Sequence, residues 1–369
     1  MKLAKDLIQL KGSRSSMVFG STVLLSTLAL FIASGCSSPS TESNSGGKTN
    51  DTGTKMTITG AGSTFVNPAM SKWIYSYKDA TINYQSVGSG AGIAQYKAGT
   101  VDFGATDAPL SDKEVGEMPQ PTVHVPVIAG CLVLAYNLEG VEDGLKLSPA
   151  AIAGIFSGKV TKWNDPVIVK DNPGVKLGDT PITVAHRSDG SGTTYVFTDY
   201  LSAVSPEWKA STGMGKTVNW PTGIGGKGNE GVSGLIKQTP GSIGYVELAY
   251  AVQTKLHYGP VQNKAGKFVT PSLESTTAAA NSAAEAMKTD IRVSIVNSSG
   301  DDAYPICGFT YVLVPKEAKD AAKGKALYDF LNWVFGPGQE MAAPLQYAPL
   351  PASVVELNKQ AIAGLAAAK

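Results

Sequence analysis

Histidine and cysteine are scarce in this 369-residue chain, at three each. No paired histidine or cysteine spacing supports a metal site, and nothing places His124, His186 or His257 beside Ser191 as its base. Ser191 has glycine on both sides and departs from the G-x-S-x-G elbow of serine hydrolases. Gly215-Lys216-Thr217 has Ala210 where a P-loop needs glycine, and Gly60 and Gly62 are followed by Phe65 where a dinucleotide turn needs its third glycine. A phosphatase has no evident nucleophile or metal, so the chain is not expected to be an enzyme. Charge is also sparse, at 17% of residues with a formal net charge of +1, and the basic excess lies near the N-terminus in Lys2, Lys5, Lys11 and Arg14. The remainder of the chain carries no basic surplus to neutralise a nucleic-acid backbone, which excludes a general nucleic-acid partner. No repeat of 20 to 50 residues supports a solenoid or propeller.

What is present is enough apolar residue, 43%, for two ordinary domains. With 41 glycines and 21 prolines, tight turns are frequent and function is expected in loops. A basic stretch leads into an apolar run from Met17 to Ala33 and then to Ser34, Gly35 and Cys36. This order is that of an export signal, expected over residues 1–35. The run is interrupted by Gly20, Ser21, Thr22, Ser26 and Thr27, which argues against a membrane anchor. Small residues entering a cysteine resemble the lipobox of bacterial lipoproteins, in which Cys36 would be acylated, although Ala33 replaces the usual leucine. Residues 36–55 are Ser-, Thr-, Asn- and Gly-rich, a flexible tether with a mean span of roughly 25 Å. Outside the cytosol Cys131 and Cys307, both in strand-like apolar runs, could form a disulfide. The bridge would contribute roughly 5 kcal/mol by chain entropy. Two buried free thiols are the alternative.

From Met56 onward, short apolar runs alternate with helical stretches. TITGAG, TINYQSV, VDFGATD, HVPVIAGCLVLAYN, ITVAHR and FTYVLVP are expected strands. PAMSKWIYSYKDA, AGIAQYKAG, TTYVFTDYLSAV and GVSGLIKQ are expected helices. SIGYVELAYA is expected as a strand or a strand and turn, and ALYDFLNWVFGPGQEMA and SVVELNKQAIAGLAAA have amphipathic helical spacing. The alternation predicts an α/β fold with largely parallel sheets. Trp73, Tyr75, Tyr77, Trp163 and Trp208 are expected to pack in the interior.

Three segments place glycine and hydroxyl residues between a strand and a helix: Gly60-Ala61-Gly62-Ser63-Thr64-Phe65, Gly88-Ser89-Gly90-Ala91-Gly92 and Asp189-Gly190-Ser191-Gly192-Thr193-Thr194. Helix N-termini carry unpaired N–H groups and the positive end of the macrodipole, so each turn is a possible anion cradle or simply a capped helix start. Arg187 offers a fork suited to a tetrahedral oxyanion, and Asp189 could hold it. Asp107 is the unusual member. A carboxylate facing an anion repels it unless the anion donates a proton, so Asp107 would reject fully ionised anions. Otherwise it is a turn or cap residue before Ala108-Pro109.

TGAGSTF, YQSVGSGAGIAQYKAGTVDFGATDAPLSD, HRSDGSGTTYVFTDYL and WPTGIGGKGNEGVSGLIKQTPGSIGYVELAYA resemble, in order, the phosphate-binding protein of the bacterial phosphate ABC importer, the PstS family. The resemblance implies a two-lobed periplasmic-binding-protein fold of the Venus-flytrap type II, with two hinge crossovers and a ligand cleft between lobes. Lobe I would hold residues 56–136 and 305–369 and lobe II residues 137–304. It also implies that phosphate is bound by Thr64 and Phe65 through backbone N–H groups, with the Thr64 hydroxyl, and by Ser89, Asp107, Arg187, Ser191, Gly192 and Thr193. Asp189 would support the arginine. His186 departs from the family, in which a second arginine is common there, and so does the cysteine pair. No cofactor or metal is implied. The partners would be inorganic phosphate, the transmembrane permease subunits and, through the lipid anchor, a membrane. The receptor would act as a monomer on the extracytoplasmic side. The alternatives are a receptor for sulfate or molybdate, a phosphate-binding surface enzyme, or a structural surface protein.

Overall fold

The structure is a computed structural model that describes residues 55–367. The expected export segment, Cys36 and all but the last residue of the tether lie outside the described residues. The chain runs β1 (Thr57–Gly62), α1 (Asn67–Ser76), β2 (Thr81–Ser86), α2 (Ser89–Lys97), β3 (Phe103–Thr106), α3 (Asp112–Gly116) and β4 (Thr122–Asn137). It continues through α4 (Pro149–Phe156), α5 (Pro166–Val169), β5 (Thr183–Arg187), α6 (Gly192–Val204), α7 (Pro206–Ser211), β6 (Ile224–Gly226), α8 (Gly228–Gln238), β7 (Ser242–Glu247) and α9 (Leu248–Thr254). The short strands β8 (His257–Tyr258), β9 (Val261–Gln262) and β10 (Phe268–Val269) lead to α10 (Leu273–Asn281), β11 (Cys307–Pro315), α11 (Ala321–Trp333) and α12 (Ala352–Ala366). No described helix is long and apolar enough to cross a membrane.

One sheet runs β2-β1-β3-β11-β4-β7-β5-β6, with β8 beside β4. Its two wings are parallel, as the alternation of strand and helix requires, but the centre is antiparallel: β11 pairs with β3 and β4, and β4 pairs with β7. A largely parallel sheet was the expectation; the long central strands are the difference. β4 has 16 residues and pairs with β11 over Thr122–Cys131 and with β7 over Leu132–Asn137. It therefore passes from one wing to the other within a single strand, and its last residue, Asn137, is where the crossing between lobes was expected. β11 is buried along its whole length, which is why both strands read as unbroken apolar runs.

The β4–β11 ladder slips by one residue, with Thr310 opposite Ile128 and Tyr311 opposite Pro126. Proline lacks the N–H that a ladder uses, so a bulge at Pro126 is the local solution. Two helices differ from expectation. SIGYVELAYA is a strand that becomes α9 at Glu247, whose carboxyl oxygen accepts from the Ala249 N–H at 2.8 Å and caps the helix. The stretch after Trp333 opens into a π-helical turn, Val334–Gly338, around Pro337. Trp73, Tyr77, Trp163 and Trp208 are buried as expected, but Tyr75 is 75% exposed.

Cys131 and Cys307 stand directly opposite one another. The neighbouring Leu132 N–H bonds to the Ile306 carbonyl, so the cysteines form a non-hydrogen-bonded pair, whose side chains lie close. Both are free thiols here, in place of the bridge that export would permit. Burial pushes the Cys131 thiol up to about 12 and raises that of Cys307 well above its ordinary value, so neither is a reactive thiolate.

Candidate functional site

The three glycine turns converge on one cleft between the wings of the sheet. The first follows β1. Its Ser63 N–H bonds to the Ala105 carbonyl at 2.9 Å, fixing the turn against β3. The Ser63 hydroxyl donates to the Asp107 carboxylate, 2.6 and 2.8 Å from its two oxygens, and accepts from the Phe65 N–H at 3.0 Å. No side chain caps the start of α1. Thr64 Oγ1 accepts from Asn229 Nδ2 at 2.8 Å and from the Asn229 N–H at 3.2 Å. The same Nδ2 reaches Thr193 Oγ1 at 3.2 Å, so Asn229 ties the first turn to the third.

The second turn starts α2 at Gly88, which has φ +90° and no side-chain cap. Ser89 is buried, and its hydroxyl accepts from the Asp107 N–H at 3.3 Å. The glycines here serve close approach as much as N–H exposure. A Cβ on Gly88 would lie 2.3 Å from Asp189 Oδ2, and the Gly90 N–H bonds across the cleft to the Gly190 carbonyl at 2.8 Å. Gly192 is placed alike: a Cβ there would lie 2.5 Å from both Asp107 Oδ2 and Ser89 Oγ.

In the third turn, Ser191 caps α6, its hydroxyl oxygen accepting from the Thr194 N–H at 2.9 Å while its own proton stays available to a ligand. Arg187 ends β5 with a side chain 1% exposed, far from the surface ion pair that the sequence also allowed. Its Nε and Nη2 donate to the two oxygens of Asp189 at 2.7 and 2.6 Å, and Nη1 donates to Thr193 Oγ1 at 3.2 Å. The fork is thus locked in place with guanidinium hydrogens to spare. Burial works against ionisation of Asp189, but the hydrogen bonds and charge of Arg187 outweigh it and hold the carboxyl below its ordinary range.

Asp107, just past β3, is 3% exposed. Burial raises its carboxyl to about 6, while the hydroxyls of Ser63 and Thr310, the Arg187 charge and Ser89 hold it from rising further. Thr310 Oγ1, in β11 beside the bulge of β4, donates to Asp107 Oδ1 at 2.7 Å. Near neutrality the group is a carboxylate acceptor fixed by hydroxyl donors, facing a guanidinium across the cleft.

Thr64, Phe65, Ser89, Asp107, Arg187, Ser191, Gly192 and Thr193 are therefore brought together, with Asp189 locked to the arginine. Sequence reasoning missed Ser63, Thr310 and Asn229. Ser63 and Asn229 lie inside the family-like motifs, but Thr310 had no local signal, because only the pairing of β11 with β3 brings it to Asp107. His186 does not enter the cleft. It stacks on Trp220 with ring centroids 4.9 Å apart.

A mixed sheet with two wings joined by long central strands, and three helix starts brought together between the wings, defines the class of two-domain periplasmic binding proteins. Residues 42–337 match the PBP superfamily domain. The chain is 49% identical over 303 residues to the phosphate-binding protein PstS of Xylella fastidiosa strain Temecula1, covering 81% of this chain and 83% of that one. It is 39% identical over 350 residues to PstS of Methanocaldococcus jannaschii, covering 86% and 89%. The chain belongs to the PstS family of phosphate-binding proteins. Two solved structures share the fold. One is a high-affinity periplasmic phosphate-binding protein bound with phosphate, with TM-score 0.67, 21% identity and coverage of 83% of this chain and 93% of that one. The other is a phosphate-binding protein from Stenotrophomonas maltophilia, with TM-score 0.64, 20% identity and coverage of 83% and 94%.

Proposed function

We infer that this chain is the extracytoplasmic receptor of a phosphate ABC importer, closing two lobes on inorganic phosphate and presenting it to transmembrane permease subunits without chemical change. The observation that carries the reading is the opposition of a buried, hydroxyl-fixed Asp107 to a buried, Asp189-locked Arg187 at three helix N-termini. The guanidinium and the positive ends of the helices attract an anion, while the carboxylate accepts only from an anion that still carries a proton. Phosphate is protonated near neutral pH and sulfate is not, so the same site admits one and repels the other. An unpaired carboxylate facing sulfate would stand against it by several kcal/mol.

In this reading the ligands are the Thr64 and Phe65 amides, the Thr64 hydroxyl, Ser89, Asp107, Arg187, Ser191, Gly192 and Thr193. The lobes comprise 56–136 with 305–369, and 137–304. Residues 1–35 direct export and Cys36 carries the lipid anchor, with the receptor acting as a monomer. Calorimetric titration of the folded body with phosphate, sulfate and arsenate tests the receptor function. Phosphate should bind, arsenate should compete as a similar protonated tetrahedron, and sulfate should give no heat. A sample that binds sulfate as well as phosphate, or neither, overturns it.

A further inference from the structure

Glu247 lies at the junction of β7 and α9 with no exposed surface, and it is not among the groups facing the anion cleft. Its surroundings pose a problem of proton count. The Tyr347 hydroxyl oxygen is 2.6 Å from the Phe65 carbonyl oxygen and 2.9 Å from Glu247 Oε2. Both are hydrogen-bond distances between oxygens, so either one proton is shared between two acceptors or a second proton is present. The tyrosine supplies one and a carbonyl supplies none. Where a second proton is present, Glu247 is the group that carries it.

We propose that Glu247 is a neutral carboxylic acid that donates to Tyr347, so that Tyr347 donates to Phe65 and fixes the turn whose amides face the anion. It is a positioning residue, and this role rests on the phosphate-receptor reading. The remaining contacts agree. Glu247 Oε2 accepts from the Ala249 N–H while donating to Tyr347, which a hydroxyl oxygen can do. Oε1 has no hydrogen-bond partner, a condition tolerable for a carbonyl oxygen and severe for a buried carboxylate. Burial drives the carboxyl well above its ordinary range. The charge of Asp107 also disfavours ionisation of Glu247, while the Ala249 N–H and Tyr347 bonds only partly oppose it.

The arrangement suits an anion receptor in two ways. A second ionised carboxylate beside Asp107 would repel the ligand, and a neutral acid does not. The turn is also held at consecutive carbonyls. Tyr347 takes that of Phe65, and the Tyr250 hydroxyl, 2.6 Å from the Thr64 oxygen and 2.9 Å from Glu230 Oε1, takes the other. Since the peptide unit is planar, holding the Thr64 carbonyl sets the direction of the Phe65 N–H, and holding the Phe65 carbonyl stops the next unit from swinging. Glutamine cannot replace the acid. Its nitrogen would face the Ala249 N–H, and its oxygen would have no proton to give Tyr347.

Infrared spectroscopy of protein labelled with 13C at the glutamate carboxyl tests this, because the label separates Glu247 from Asp107 without any substitution. The wild type should keep a labelled, protonated carboxyl band at pH 8. Tyr347→Phe, shown to be folded by near-ultraviolet circular dichroism, should move that band and weaken phosphate binding at least fivefold. Glu247→Gln should abolish the band and weaken binding similarly. A wild type in which every glutamate is ionised at pH 8 overturns the proposal, as does a folded Tyr347→Phe with unaltered phosphate affinity. A wild type that shows the band but binds no phosphate would instead defeat the receptor reading, since the band reports the proton alone.

Discussion

In the proposed site, Arg187 and Asp107 divide attraction from selection, and each part can be removed separately. Arg187→Ala deletes the charged fork and should weaken phosphate binding at least tenfold, about 1.4 kcal/mol or more by calorimetry. Asp107→Asn removes the carboxylate, so sulfate should begin to bind while phosphate affinity falls less than in the arginine variant; competition titration reads both. The wild type should show the same relaxation with pH. As pH drops through about 6, Asp107 takes up a proton and becomes a donor, so sulfate exclusion should erode below that value and hold above it. The same group affects stability. Its native value is raised, so between the unfolded value of about 4 and about 6 the native state binds more protons than the unfolded one. In that window the Asp107 contribution makes the protein less stable as pH rises, by at most about 1.4 kcal/mol per pH unit, and it levels off above. Melting temperatures of the wild type and Asp107→Asn across the range should converge at low pH and diverge toward neutrality.

Strands and helices decide which of these residues meet. The bulge at Pro126 aims Thr310 at Asp107, and it connects a proline in one central strand to a hydroxyl in the other. Thr310→Val removes a donor that stabilises the ionised carboxylate, so the pH at which sulfate exclusion fails should rise above that of the wild type in the same competition titration. At the start of α6, Gly192→Ala would press a methyl group 2.5 Å from Asp107 Oδ2 across the cleft. The backbone there is ordinary, so the folded lobes should survive with little change in melting temperature while phosphate binding collapses. Most elements were legible because their apolar spacing or turn chemistry is local, as in Gly60–Phe65 leading from β1 to α1. α9 was not, since LAYA continues the apolar run of β7, and only the Glu247 cap on Ala249 marks the change of structure. The antiparallel centre of the sheet was equally hidden. Alternating strands and helices say that crossovers exist, but a run buried on both faces carries no sign of its direction.

At the scale of the whole molecule, the two sides of the cleft are closed on one another. Besides the Gly90–Gly190 and Asn229–Thr64 bonds, Lys216 Nζ lies 2.5 Å from Glu114 Oε1 across the cleft mouth. A ligand that touches both lobes favours this arrangement over an open one, and such closure is a signal that a membrane partner can distinguish. The ion pair is a quarter to a third exposed, so its worth is that of a screened surface pair, about 0.5 to 1 kcal/mol. Lys216→Ala should therefore weaken phosphate binding only about two- to fivefold, chiefly through faster release in stopped-flow measurements. High salt should reproduce most of the effect in the wild type and little of it in the variant.

The sequence by itself determined the chemistry offered. Glycine and hydroxyl turns at helix starts, an arginine two residues from its aspartate and a lone aspartate before a proline are local facts, written in neighbouring residues and in motifs long enough to identify the family. The tertiary structure alone decided which groups share one environment. Thr310 reaches Asp107 through strand pairing some two hundred residues away in the chain, Arg187 and Asp107 lose solvent together, and a glutamate in a strand that reads as plain core is buried beside Tyr347, where it is proposed to hold a proton. Ionisation and hydrogen-bond completion depend on everything within a few ångströms, and distance in space is what a linear pattern does not carry.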